Sequence, residues 1–238
     1  MQSAIVAAIG GSLLVHSDDE EMARWRQRLC ATIAAASSTG SRFALVVGGG
    51  RLAREMIAVE RSRGITDEAE LDIVGIAATR TNAENLRGLL AEAGIDVAAD
   101  IPSSISDAAA ALNSHTVVVM GGTIPGHTTD AVAIMLGIKC AAQRVLIATN
   151  VSHVYTKDPR LDPTARPIES LTLTELARIS GSEGRLAAGS SSAVDPIGVV
   201  LAMEAGMPLA VLDGRDAGLL SKALTGRPFA GTQVLPGE

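Results

Sequence analysis

The stretch TVVVMGGTIPGHTTDAVAIML, residues 116–136, joins an apolar strand-like run (116–120) to a helix-period run beginning at residue 129. The join is a glycine turn. Gly121, Gly122 and Gly126 permit close approach to the backbone, while Thr128, Thr129 and Asp130 offer caps, hydroxyl donors and one acid at the positive end of a helix dipole. Backbone amides arranged this way can hold an anion. The same residues also serve as an ordinary capped strand-to-helix connection, and this turn alone leaves both readings open.

Working outward, further apolar runs at 4–9, 43–47, 145–148 and 209–212 read as buried strands. Segments of helical period at 19–36, 51–63, 81–93, 129–136, 172–179, 195–205 and 217–225 alternate with them. Strand–helix alternation predicts a three-layer α/β/α sandwich around a central, mostly parallel sheet. A Ser- and Gly-rich loop at 181–192 is too short to link independent domains, so one domain over 1–238 is expected. The strand–glycine–helix join occurs three times: at Ile9-Gly10-Gly11-Ser12, at Val47-Gly48-Gly49-Gly50-Arg51 and at Met120-Gly121-Gly122-Thr123. In a parallel sheet all three turns share the carboxyl edge, where their amides can converge on several phosphates. Neither GxGxxG nor GxxxxGK[ST] spacing is present, so this is a phosphate site of another kind.

Composition narrows the ligand classes. Aromatic residues are 2% of the chain and the formal charge is −6, which argues against nucleic acid held by base stacking or a basic groove. No apolar run reaches the roughly 20 residues of a membrane span, and no signal peptide precedes the first strand, so a soluble, cytoplasmic chain is expected. Cys30 and Cys140 lack metal or redox spacing and are expected to be buried, reduced and inert. His127 and His153 have no second ligand at a recognisable spacing, so no protein-held metal is expected.

Several side chains could serve a crevice at that edge. Arg51 and Arg54 follow the second glycine turn, where a first-turn arginine opposes the helix dipole unless an anion sits there. Asp72 could accept from ribose hydroxyls or cap a helix. Thr149 and Asn150 end a buried strand, and the turn-like Tyr155 to Asp158 segment that follows suits a base and its ribose. Tyr155 could pack on adenine or simply anchor its loop.

These residues together resemble the UMP kinases of the amino acid kinase superfamily, particularly the archaeal-type branch. The carriers are Gly10-Gly11-Ser12, VVGGGRLAREMI (46–57), GIAATRTNA (75–83), GGTIPGHTTDAVA (121–133), VYTKDP (154–159) and AGSSSAVDP (188–196). The resemblance implies phosphoryl transfer from ATP to UMP, with Mg²⁺ on the ATP phosphates and a homohexamer, a trimer of dimers. It implies a UMP site of Gly49, Asp72, Thr123, Ile124, Pro125, Gly126, His127, Thr128 and Thr129, mainly in the N-terminal part. It implies an ATP site of Gly10, Gly11, Gly50, Arg54, Thr149, Asn150, Tyr155 and Asp158. Arg54, Asp130 and Asp195 would organise the reaction centre. The acceptor oxygen is already anionic, so alignment and charge neutralisation, not strong base catalysis, are the implied tasks.

Three positions depart from the superfamily pattern. Ala8 stands where many members have a lysine, although the archaeal-type branch often lacks it; Ser152-His153 replaces Asp-Gly, and Ala187 replaces a lysine. The transition-state cation then falls to Arg54, Arg51, Lys157 or Arg185, with Arg54 first. Two alternatives follow from the same residues: a superfamily kinase for another small phosphate or carboxylate, and a nucleotide-binding regulatory or storage protein without transfer activity.

Overall fold

The computed structural model describes residues 4–14, 19–38, 40–181 and 193–237. Arg185, Ala187 and residues 188–192 of the AGSSS run lie outside them. The elements in order are β1 (Ile5–Ile9), a 3-10 turn (Gly11–Leu14), α1 (Asp19–Ser37), β2 (Phe43–Val47), α2 (Gly50–Ser62), α3 (Glu68–Glu92), α4 (Ile105–Ser114), β3 (Val117–Met120) and α5 (Thr129–Lys139). There follow β4 (Val145–Thr149), β5 (Val154–Tyr155), β6 (Pro167–Ile168), β7 (Ser170–Thr172), α6 (Leu173–Ser180), α7 (Pro196–Ala205), β8 (Leu209–Asp213), α8 (Ala217–Leu224) and β9 (Thr232–Leu235).

Seven strands form one sheet in the order β3-β2-β1-β4-β8-β9-β7. The first five are mutually parallel; β9 runs antiparallel to β8, and β7 lies parallel to β9. Strands covered on both faces need apolar side chains in both directions, and β1 to β4 and β8 are accordingly almost fully buried. Alternate residues feed two cores. Val6 and Ala8 join residues of α4 to α7, while Ala7 and Ile9 join residues of α1, α3 and α8. The result is the expected α/β/α sandwich.

Strand order places the crevice. From β1 the sheet grows through β2 and β3 on one side and through β4 and β8 on the other, so β1 ends at a topological switch point. All five parallel strands present their carboxyl ends there. Trp25 of α1 supports this edge from below, its indole N–H donating to the Gly214 carbonyl at 2.7 Å, just past β8.

Two helices depart from the sequence expectation. The helix expected at 81–93 is the second half of α3, which starts at Glu68 behind Asp67, whose carboxylate accepts from the Ala69 and Glu70 amides at 2.7 and 3.2 Å. Gly75 and exposed Ile73 obscure the period of the first half. Helix α4 was not expected; its N-cap is Ser104, whose Oγ accepts from the Asp107 amide at 3.1 Å, and Ala108 and Leu112 bury its inner face. Cys30 is buried as expected, whereas Cys140 is only half-buried, because it follows the last turn of α5. Burial pushes both thiols up from their ordinary value, which keeps them protonated and unreactive.

Candidate active site

The first two glycine turns lie in direct backbone contact. A Cβ on Gly11 would fall on the Gly48 carbonyl and the Gly50 amide; one on Gly50, which has φ +57°, would meet the Gly11 carbonyl and come within 2.7 Å of the Ser12 nitrogen. The glycines are therefore a steric requirement of the paired turns. Each is also pinned to the sheet: the Gly10 amide donates to Ala148 at 2.9 Å and the Gly48 amide to Ile9 at 2.9 Å.

Helix α2 starts directly from this contact. Gly49 is its N-cap with no side-chain cap bond, and its first turn contains no acid. An uncapped helix start carries unsatisfied amides and positive partial charge, the electrostatic condition for holding a phosphate. Arg54, one turn into α2, is exposed and makes no ion pair among the described residues, while Arg51 is tied to Glu55 at 3.4 Å on the solvated side. Lys157 is committed to Asp162 at 2.7 Å. Of the cations proposed from sequence, Arg54 is the described one left to face an anion. Ala8 is 2% exposed inside β1, so the chain supplies no cation from that position.

The third turn meets the other two over α3. A Cβ on Gly121 would stand 2.6 Å from Thr79 Oγ1, and that hydroxyl accepts from the Gly122 amide at 2.7 Å. Asp72, two turns earlier on α3, accepts from the Gly126 amide at 2.7 Å and holds the loop shut. Thr123, His127 and Thr129 are partly buried, whereas Ile124, Pro125, Gly126 and Thr128 form an exposed rim. His127 Nδ1 is buried without a hydrogen-bond partner among the described residues. Thr128 caps α5 by accepting from the Ala131 amide at 3.3 Å, and Thr129 Oγ1 lies 3.4 Å from where a Gly48 Cβ would stand. The loop thus reaches the second turn.

Two helix starts then bring two acids together. Asp130 lies in the first turn of α5, and Asp195 caps α7 by accepting from the Gly198 amide at 3.0 Å. Desolvation pushes Asp130 up to about 6; the Asp195 amide, donating to it, pulls the other way, and the Asp195 carboxylate adds to the rise. A carboxyl raised in this way beside a second acid makes Asp130 a candidate for the functional centre.

On the far side of β1, Thr149 ends β4 and accepts the Gly214 amide at 2.8 Å through its carbonyl, and exposed Asn150 follows. Tyr155, on β5, bonds Ser152 Oγ through its hydroxyl at 2.9 Å and meets the His153 ring edge-on, with centroids 6.4 Å apart. Ser152 and His153 therefore shape this loop by bracing the tyrosine. Asp158 is turned inward on Arg160, which donates to it from Nε at 3.0 Å and Nη2 at 2.8 Å.

The chain matches the Amino acid kinase family model across residues 3–213. It belongs to the amino acid kinase family. It is 38% identical over 235 residues to the uridylate kinase of Methanococcus vannielii, covering 98% of this chain and 99% of that one. It is 41% identical over 232 residues to the uridylate kinase of Methanothrix thermoacetophila, covering 97% and 98%. The crystal structure of uridylate kinase from Archaeoglobus fulgidus superposes with a TM-score of 0.80 at 31% identity, covering 97% of this chain and all of that one.

Within this family member, α3 supplies side chains whose role sequence reasoning did not find. Asn82 Nδ2 donates to the Gly48 and Gly49 carbonyls at 2.8 and 3.0 Å, Thr79 grips Gly122, and Arg80 Nε approaches the Gly122 carbonyl at 3.4 Å. The signal was present as TRTN within the quoted 75–83 run. Only the fold gives it meaning, by laying α3 beneath two turns.

Proposed function

We propose that the chain is an ATP-dependent UMP kinase, transferring the terminal phosphoryl group of ATP to UMP to give UDP and ADP. The observation that carries this reading is the junction of three glycine turns at one switch point, with an uncapped helix start and Arg54 exposed one turn into that helix. Full-length similarity to uridylate kinases supplies the acceptor. UMP would lie in the loop from Thr123 to Thr129, its ribose toward Asp72 and its phosphate toward Gly49. ATP would lie along Gly10, Gly11, Gly50, Thr149, Asn150, Tyr155 and Asp158. Arg54 would neutralise charge between the two phosphates, and Asp130 and Asp195 would order the reaction centre.

Among the described residues no group of three or more His, Cys, Asp or Glu is arranged to hold a metal. The resemblance implies a Mg²⁺ carried chiefly by the ATP phosphates, whose charge it would offset. We further read the chain as one cytoplasmic domain; no described helix is long and apolar enough to cross a membrane. A hexameric assembly, a trimer of dimers, is proposed from the resemblance and from α2, none of whose residues is fully buried within the single chain. The test of function is a coupled assay of ADP release with Mg-ATP and UMP, CMP, dCMP, isopentenyl phosphate or N-acetylglutamate. UMP is expected to be the best acceptor; binding of UMP without UDP formation would reject the reading.

A further inference from the structure

Thr79 and Asn82 are 7% and 8% exposed, two of the few buried polar residues in the described chain. A buried amide or hydroxyl is costly unless bonded, and both are bonded to glycine-turn backbone. Asn82 holds the second turn by donating to the Gly48 and Gly49 carbonyls at 2.8 and 3.0 Å. Thr79 holds the third by accepting from the Gly122 amide at 2.7 Å, while its own proton goes to the Ile76 carbonyl at 2.6 Å. The Thr79 methyl also lies 3.5 Å from where a Gly49 Cβ would stand, so no side chain separates it from the second turn.

The two residues are three apart on one face of a 25-residue helix that Ala83, Leu86 and Leu90 lock into the core. Turns are soft and a packed helix is not. We propose that Thr79 and Asn82 are positioning residues: they tie the second and third glycine turns to α3 and thereby fix the acceptor cradle relative to the point of transfer. This rests on the kinase reading above. It assigns the pair no direct nucleotide contact, so it separates binding from transfer. Each nucleotide should still find its own turn, but the phosphoryl group and acceptor oxygen should no longer be held in line, and misplacement on the ångström scale lowers rates steeply.

The experiment compares parent, Thr79→Val, Asn82→Ala, the double variant and Thr79→Ser. It measures kcat for UDP formation, Kd for UMP alone and for a non-hydrolysable ATP analogue alone, and thermal unfolding. Thr79→Val keeps the shape and loses the hydroxyl; Thr79→Ser keeps the hydroxyl. Expected is a fall in kcat of about tenfold or more in each of Thr79→Val and Asn82→Ala, with both Kd values within about threefold of the parent. Thr79→Ser should stay within about twofold. The double variant should lose less than the product of the single losses, since either break frees the same spacing. A kcat near the parent's alongside a lowered melting temperature would reduce the pair to a structural role and overturn the proposal. So would a loss confined to the Kd of one nucleotide. Should Asn82→Ala not fold, Asn82→Asp, which keeps the shape and lacks the donor, takes its place under the same criteria. A parent that makes no UDP overturns the kinase reading itself, whereas an active parent with unaffected variants removes only the positioning role.

Discussion

At the scale of single residues, Arg51 and Arg54 stand one turn apart with opposite surroundings. Arg51 is paired with Glu55 across an exposed i,i+4 contact, a kind of pair worth only about 0.3–0.5 kcal/mol. Arg54 is exposed and makes no ion pair among the described residues. Arg54→Ala is therefore expected to lower turnover at least about tenfold, roughly 1.4 kcal/mol of barrier, with little change in unfolding midpoint. Arg51→Ala should stay within about twofold, and equal losses in a steady-state assay would contradict the assignment. Asp130 gives a prediction in pH. Its carboxyl titrates at about 6 in the folded chain against an ordinary 3.8, so the folded state holds this proton more tightly than the unfolded state. Stability from this group is then present at low pH and is lost as pH rises from about 4 through 6. Asp130→Asn, which cannot ionise, should unfold later than the parent at pH 8, by at most about 3 kcal/mol, and the gap should close near pH 4. Turnover should collapse in the same variant. Denaturant unfolding at both pH values checks the sign, and a variant less stable than the parent at pH 8 would refute it.

At the scale of elements, the paired turns at Gly11 and Gly50 decide how the helices start. Gly50→Ala combines left-handed backbone with a methyl group on the Gly11 peptide, and a cost of about 2–4 kcal/mol is expected from the two effects together. A change below about 0.5 kcal/mol in denaturant unfolding would show that the turns can part. The turns themselves were legible in the sequence, because parallel strands buried on both faces read as unbroken apolar runs such as FALVV, and glycines after three of them stand out. All five parallel strands were found in this way. The first half of α3 was not, because Gly75 and Thr79 are weak helix formers and only the Asp67 cap marks its start. Thr79 and Asn82 were missed for a related reason. Their value comes from where α3 lies, which no local pattern states. The pairings of Asp158 with Arg160 and of Lys157 with Asp162 are local, two and five residues apart, but depend on the path of one irregular loop that no helical or strand period describes. Charge counts alone left Lys157 as available as Arg54.

At the scale of the whole molecule, one face looks unfinished. No residue of α2 is fully buried within the chain, although Leu52, Ala53, Met56 and Ile57 are partly so, and Val59 and Ile73 remain 47% and 58% exposed on the α2 and α3 layer. Light scattering after gel filtration should give a mass near six copies of the 24.3 kDa chain, and Ile73→Glu should lower it. A parent that stays monomeric at micromolar concentration would contradict the assembly. The sheet order sets the proposed acceptor loop on the β2 and β3 side of β1 and the proposed donor loops on the β4 and β8 side, so the proposal puts transfer over the Gly11–Gly50 contact. The most direct test follows a labelled terminal phosphoryl group from [γ-³²P]ATP with Mg²⁺ and UMP. Label appearing in UDP, one for each ADP formed and strictly dependent on UMP, is the expected result. Label released as inorganic phosphate, or no transfer at UMP concentrations that saturate binding, would contradict the account.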